Sequence, residues 1–164
     1  MCYDEEEWLG KVFDEMGGML LGYLKAYLRD EQYAEDVLQN VFVRLVNSKR
    51  KNYPIENLRA FLFTLASHEA KRFLSKQGKH IHALRSTQGN ILEKKPESVM
   101  SPEESLSLQE ALLSLPWEQQ EAVYLKIYAQ MTLEEISLCL SIPLNTIASR
   151  YRYGMEKIKK IWRE

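Results

Sequence analysis

The sequence predicts an all-α protein, in which two small helical domains are joined by a flexible linker. Apolar residues recur at helical spacing in two separate parts of the chain, which is typical of amphipathic helices packed around cores. Between these parts Gly78, Gly89, Pro96 and Pro102 interrupt a stretch in which no period holds. A chain of 164 residues, 45% of them apolar, is long enough for two such cores. We therefore expect domains at 1–76 and 103–164, with the linker at 77–102.

Three helices are predicted in the first domain. The first spans about Trp8 to Arg29, the second follows a cap at Asp30, and the third opens at Asn57. Each has an apolar stripe that should face the core. The predicted core residues are, helix by helix, Val12, Met16, Met19, Leu20, Tyr23, Leu24 and Tyr27; Ala34, Val37, Leu38, Val41, Phe42 and Leu45; and Leu58, Phe61, Leu62, Leu65 and Phe73.

A helix-turn-helix is predicted in the second domain. Thr132 and Glu135 have the spacing of a capping box, which begins a short helix. Pro143 ends that helix, and a second one restarts at about Leu144. Its apolar stripe is predicted to comprise Leu144, Ile147, Ala148, Tyr151, Met155, Ile158 and Trp162. A solvated surface helix would show the same polar face, but the capped first helix and the tight turn favour a DNA-reading motif.

The charges are segregated along the chain although the net charge is only −1. Residues 44–95 hold twelve basic and three acidic residues, and residues 150–164 hold six basic and two acidic ones. Residues 1–36 and 97–135 are each strongly acidic. Two basic blocks predict two separate contacts with a polyanion, although ordinary solvated faces would give the same counts.

Several other classes of protein do not fit the sequence. No apolar run approaches the length of a membrane span, and the acidic N-terminus does not resemble a secretory signal, so we expect a cytoplasmic protein with no membrane insertion. Cys2 and Cys139 do not suggest a disulfide framework. His80 and His82 with the distant Cys139 lack the spacing of a zinc site. Without a phosphate-binding glycine loop or a nucleophile elbow, neither an enzyme nor a cofactor is predicted.

One motif in the second helix points to a family. The stretch AEDVLQNVF, residues 34–42, resembles the signature helix A-E-D-hydrophobic-hydrophobic-Q-E-x-F of the extracytoplasmic-function (ECF) sigma factors. The resemblance implies that this helix docks on the clamp coiled coil of core RNA polymerase. By residue match, the expected contacts are Asp36, Gln39 and Asn40, with Arg44 beside them.

The resemblance continues into the third helix and into the basic segment before it, which is predicted to be a loop and reads Lys49-Arg50-Lys51-Asn52-Tyr53-Pro54. In the family this connection captures an unstacked base of the promoter −10 element, so Tyr53 is expected to stack on a base. The third helix is similar to the family helix that lies along the melted strand, but Phe61 replaces its Trp and Ser67-His68 replace its Arg-Asn. The residues expected to contact the −10 element are Lys49, Arg50, Lys51, Asn52, Tyr53, Asn57, Arg59, His68, Lys71 and Arg72.

The helix-turn-helix resembles the part of the same family that reads the −35 element. Thr146, Ser149 and Arg150 match the family run T-V-K-S-R, with Asn145 at the preceding glycine. The departures are Ala148 at the lysine, Ser137 and Ser141 at an alanine and a glycine, and Gly154-Met155 at Ala-Arg, so the family's sequence preference does not carry over. The expected −35 contacts are Asn145, Thr146, Ser149, Arg150, Arg152 and Tyr153.

The resulting hypothesis is a promoter-specificity subunit of RNA polymerase. Its implied partners are core RNA polymerase, promoter DNA and, since the family is commonly held inactive in this way, an anti-sigma factor. Two alternatives stay open at this point. A stand-alone helix-turn-helix regulator would bind a palindromic operator without polymerase. A helical adaptor would bind protein only, and would not depend on its basic residues.

Overall fold

The computed structural model describes residues 2–77 and 110–163. All the regular secondary structure in these two ranges is α-helical, which confirms the predicted fold class. The chain divides into two compact units, residues 1–94 and 95–164. Most of the predicted linker at 77–102 lies outside the described residues, so the domain boundaries stay a prediction. Within the described ranges, no helix has both the length and the apolar character needed to cross a membrane.

The first unit contains three helices that all contact one another, α1 (Cys2–Leu28), α2 (Glu31–Arg50) and α3 (Leu58–Lys76). α1 begins six residues earlier than predicted. Asp4 and Glu5 lie in its first turn, where negative charge interacts favourably with the helix dipole. α2 begins at the predicted cap, because the Asp30 carboxylate accepts a hydrogen bond of 2.9 Å from the Tyr33 N–H.

The core of this unit confirms the predicted face of α2 and corrects that of α3. All six residues of the predicted α2 stripe are buried. On α3, Leu62 is buried, but the other four predicted core residues are only half-buried. The prediction was wrong there because it counted large side chains and passed over Ala66 and Ala70, which are fully buried and allow close helix packing. Phe63 completes this face, with its ring centroid 5.7 Å from that of Tyr23.

The second unit contains α4 (Trp117–Ile127), α5 (Leu133–Leu140) and α6 (Leu144–Arg163), preceded by helical residues 110–113. The predicted capping box is present, since Thr132 Oγ1 and the Glu135 carboxylate each accept a hydrogen bond from the other's N–H. α5 then ends at Ser141, which adopts a left-handed conformation with φ 54°. The Pro143 carbonyl accepts the first hydrogen bonds of α6, so the predicted helix-turn-helix is confirmed.

The apolar stripe predicted for α6 is only partly buried. Ile147 and Ile158 lie in the core, but Leu144 and Trp162 are 41% and 44% exposed. The buried Gly154 explains the difference. A Cβ added to it would lie 2.8 Å from Val123 Cγ2 of α4, so this side of α6 packs closely against α4, while Leu144 and Trp162 lie to one side of it.

Two tyrosines of this unit stack one helical turn apart. The ring centroids of Tyr124 and Tyr128 are 4.8 Å apart with nearly parallel planes. Burial raises the pKa of both hydroxyls above the ordinary value for tyrosine.

We expect Ser141→Gly to stabilise the second unit. A left-handed conformation costs an L-residue other than glycine about 1–2 kcal/mol, while glycine loses more chain entropy on folding. The net gain in the free energy of unfolding should be about 0.5–1 kcal/mol, measured by urea denaturation. Ser141→Ala is the matched control because it removes the hydroxyl but keeps the strained φ. Equal stability of the two variants would contradict the assignment of strain.

We expect Gly154→Ala to destabilise the protein, although alanine is normally the better helix former. The new methyl group meets a branched side chain that has little freedom to move. Overpacking of this kind costs about 1–3 kcal/mol. Gly10→Ala is the control, since nothing lies within 4 Å of a Cβ there, and it should stabilise α1 by up to about 1 kcal/mol. Two variants shifting stability in the same direction would exclude the close approach of α6 and α4.

Candidate nucleic-acid and protein interfaces

The outer face of α2 presents the residues predicted to dock on a protein partner. Because the apolar stripe of α2 turns to the core, Asp36, Gln39 and Asn40 are directed outward and are exposed. Val43 lies one helical turn beyond Gln39 and Asn40 on the same face, and it is 58% exposed. This face therefore combines polar groups with one exposed apolar side chain.

Arg44, the fourth residue predicted for that interface, also contacts α3. Its guanidinium forms an ion pair with the carboxylate of Glu69. Glu69 is only 9% exposed, so removing the arginine would leave a nearly buried charge without this partner. The pair joins α2 to α3. Sequence reasoning missed Glu69, because its pairing depends on the register of α2 against α3.

A polar groove of about 560 Å³ separates α2 from α3 on this side. Four basic side chains line it, two from each side of the groove, and Glu69 is its one acidic residue. The lining residues are Asn40, Val43, Arg44, Asn47, Ser48, Lys51, Leu65, Glu69, Arg72 and Lys76. The groove thus connects residues predicted to contact polymerase with residues predicted to contact the −10 element.

The sequence predicted a loop over the whole of the basic segment, but the start of this segment is helical. Lys49 and Arg50 form the last turn of α2. Lys49 Nζ lies 3.7 Å from the centroid of the Trp8 ring, and Arg50 Nε lies 3.2 Å from Glu5 Oε1. Both partners lie in α1. A two-residue connection between the antiparallel helices α1 and α2 brings the start of α1 beside the end of α2. The opposite charges of the acidic N-terminus and the basic segment were therefore the sequence signals that could have predicted the contact between α1 and the end of α2.

The end of α2 places Tyr53 at the surface. Asn52 is left-handed, with φ 52°, and its N–H donates to the Lys49 carbonyl at 3.0 Å. The Tyr53 N–H donates to the Ser48 carbonyl at 3.0 Å, which completes a Schellman motif. Tyr53 is 59% exposed, and its ring centroid lies 5.8 Å from that of Phe61. The turn at Asn52 thus presents the aromatic ring of Tyr53 to solvent. The exposed Lys51 presents a positive charge beside it.

Five predicted −10 residues lie on or before α3, and they have different environments. Asn57 caps the helix, since its side-chain oxygen accepts a 3.1 Å hydrogen bond from the Ala60 N–H. Arg59 is half-buried, with its Nη1 4.0 Å from Met19 Sδ. His68 and Arg72 lie one turn apart and are exposed, and Lys71 beside them is half-buried. The outer face of α3 is therefore a short cationic strip.

The exposed face of α6 carries the predicted −35 residues. Asn145, Arg152 and Tyr153 are exposed, while Thr146, Ser149 and Arg150 are half-buried. Asn145, Ser149 and Arg152 follow helical spacing along its outermost line. The Arg152 guanidinium carbon lies 5.1 Å from the centroid of the Tyr153 ring. Amide, hydroxyl and guanidinium groups on one accessible face can hydrogen-bond base edges and phosphates.

Metal chemistry has no support in the part of the chain that the structure describes. No group of three or more histidine, cysteine, aspartate or glutamate side chains is placed there to hold an ion. His80 and His82 lie outside the described residues, and Cys139 is buried in α5.

Two family models match the sequence, and together they span most of the chain. Residues 12–80 match sigma-70 region 2, and residues 105–158 match sigma-70 region 4. The first match contains α2, the basic segment and α3. The second contains the helix-turn-helix. No curated protein matches the sequence.

Solved structures with the same fold support these matches. The sigma factor RpoE, from its complex with the anti-sigma factor NepR from Bartonella quintana, aligns with a TM-score of 0.67 at 18% identity, over 96% of this chain and 98% of that chain. CnrH, from its complex with the cytosolic domain of CnrY, aligns with a TM-score of 0.59 at 15% identity, over 96% of this chain and 89% of that chain. With both sigma-70 regions present in order, the chain belongs to the sigma-70 family of RNA polymerase sigma factors.

Proposed function

We propose that this chain is a sigma factor of the ECF type, which directs RNA polymerase to specific promoters and acts by binding rather than by covalent chemistry. The observation that carries the proposal is the order of two sigma-70 regions in one short chain, each with its polar functional face exposed. The first unit binds polymerase and the opened −10 strand. The helix-turn-helix binds the −35 element.

Core RNA polymerase docks on the outer face of α2 in this proposal. Asp36, Gln39 and Asn40 supply its polar contacts, and Val43 supplies an apolar one. Arg44 contributes by holding α2 against α3 through Glu69, and its side chain is still 43% exposed to a partner. Replacing Asp36 should therefore weaken polymerase binding without unfolding the chain, whereas replacing Arg44 should also lower stability.

The single strand of the −10 element runs from the end of α2 along α3. Tyr53 is placed to stack on an unpaired base, and the cationic strip of α3 is placed to neutralise phosphates. Two of the predicted contacts shape the backbone instead of reaching DNA directly. Asn57 caps α3 with its side chain, and Asn52 turns the chain after α2. The −35 contacts come from the outermost line of α6, with Thr146 and Arg150 at its flanks.

An anti-sigma factor is a further partner under this proposal. The RpoE neighbour is bound to an anti-sigma factor, and the CnrH neighbour is bound to a cytosolic domain of another protein. The outer face of α2 offers the exposed apolar residue and the polar rim that such a partner requires.

Run-off transcription tests the proposal directly. Core RNA polymerase with the purified chain should start RNA at defined sites on genomic DNA fragments, and core polymerase alone should not. Specific DNA binding by the chain without polymerase, together with no redirected initiation, would indicate a stand-alone regulator instead.

We expect Arg72→Ala to reduce the salt dependence of −10 binding. A lysine or arginine that neutralises one phosphate of a single strand contributes about 0.7 to the slope of log affinity against log salt concentration. The slope of the holoenzyme on DNA with a single-stranded −10 segment should therefore fall by about that amount. Lys11→Ala is the control, because Lys11 pairs with Glu7 on α1 and should leave the slope unchanged. An unchanged slope in Arg72→Ala would remove this residue from the DNA path.

We expect Glu5→Gln to tighten −10 binding. Arg50 contacts Glu5 in the free chain and must exchange it for a phosphate. Exposed ion pairs are weak, so the gain in affinity should be only about two- to five-fold, measured on the same DNA. Glu7→Gln removes the same charge two residues away and is the matched control. The gain should disappear in an Arg50→Ala background, and an equal gain from both glutamates would show a general charge effect instead.

A further inference from the structure

One edge of α6, the recognition helix of the helix-turn-helix, is apolar and partly exposed. Leu144 and Ala148 lie one turn apart on the same side of α6. Leu144 is 41% exposed and Ala148 is half-buried, although both belong to the stripe that the sequence assigned to the core.

The packing of α6 explains why this edge is left open. Its contact with α4 includes the buried Gly154, whose backbone comes close to Val123. The buried residues Ile147 and Ile158 share that face. Since Leu144 and Ala148 lie to one side of this line, they border the polar face of α6 that begins with Asn145.

The first residues of a recognition helix are those that reach base edges in the major groove. The exposed or half-buried side chains from Leu144 to Ala148 are an alkyl group (Leu144), an amide (Asn145), a hydroxyl (Thr146) and a methyl group (Ala148). None of them carries an ammonium or a guanidinium group. Guanine is usually recognised by arginine or lysine, adenine by asparagine, and the methyl group of thymine by apolar contact. The available chemistry therefore matches A·T base pairs.

We propose that the start of α6 reads A·T base pairs in the −35 element, with Leu144 and Ala148 packed against thymine methyl groups and the Asn145 amide paired with adenine. This specificity rests on the proposed function, since it requires α6 to enter the −35 groove. It applies only to the base pairs under the start of the helix. Arg150 and Arg152 lie later and serve phosphates or other bases.

Two experiments on reconstituted holoenzyme test the proposal. The first selects active promoters from a DNA library that is randomised across the −35 region. The −35 regions of the promoters that produce RNA are then sequenced. We expect thymine and adenine to be enriched at adjacent positions. The second replaces each selected thymine by deoxyuridine, which removes only the methyl group. Losing one buried methyl contact should weaken promoter binding by about four-fold.

Three variants assign the effect to residues. Leu144→Ala should lose the sensitivity to deoxyuridine at one position. Ala148→Lys places a donor on the same edge and should shift the selected base toward guanine. Leu138→Ala is the control, because Leu138 is an apolar residue of α5 that is 80% exposed and lies outside α6, so its sensitivity to deoxyuridine should equal that of the wild type.

The outcomes separate this inference from the function on which it rests. If the holoenzyme starts RNA but selects G·C pairs, or is indifferent to deoxyuridine, the proposed specificity is wrong and the function stands. If no library member supports initiation with the wild-type chain, both are wrong. A loss of methyl sensitivity in Leu138→Ala would also overturn the assignment to α6.

Discussion

The buried apolar stripe of α2 fixes the direction of the functional side chains in the first unit. With Ala34, Val41 and Leu45 fully buried, the residues between them can point in only a few directions. Asp36 and Gln39 face outward, Arg44 reaches α3, and Lys49 and Arg50 reach α1. One packing constraint thus separates the face proposed to bind polymerase from the end proposed to bind nucleic acid on a single helix of 20 residues.

A close backbone approach has the corresponding role in the second unit. Gly154 brings α6 against α4 and so sets the rotation of the recognition helix. A larger residue there would have to be accommodated by turning or shifting α6. The same contact that holds the helix therefore decides which of its side chains are exposed, and under the proposed function these are the ones that face DNA.

Helix periodicity and capping residues predicted much of this structure. The α2 stripe, the Asp30 cap and the Thr132–Glu135 capping box all appear as expected. The errors occurred where small residues decide the packing, as at Ala66, Ala70 and Gly154, because a pattern of large apolar side chains does not register them. The contact of Arg44 with Glu69 depends on the register of α2 against α3, which the sequence of one helix does not contain.

Under the proposed function, promoter specificity appears only when the chain is bound to RNA polymerase. The most direct test is a gel-shift titration of a promoter fragment and a scrambled fragment with the purified chain, with and without core polymerase. The account predicts discrimination between the two fragments only when core polymerase is present. Equal discrimination by the chain alone would contradict it.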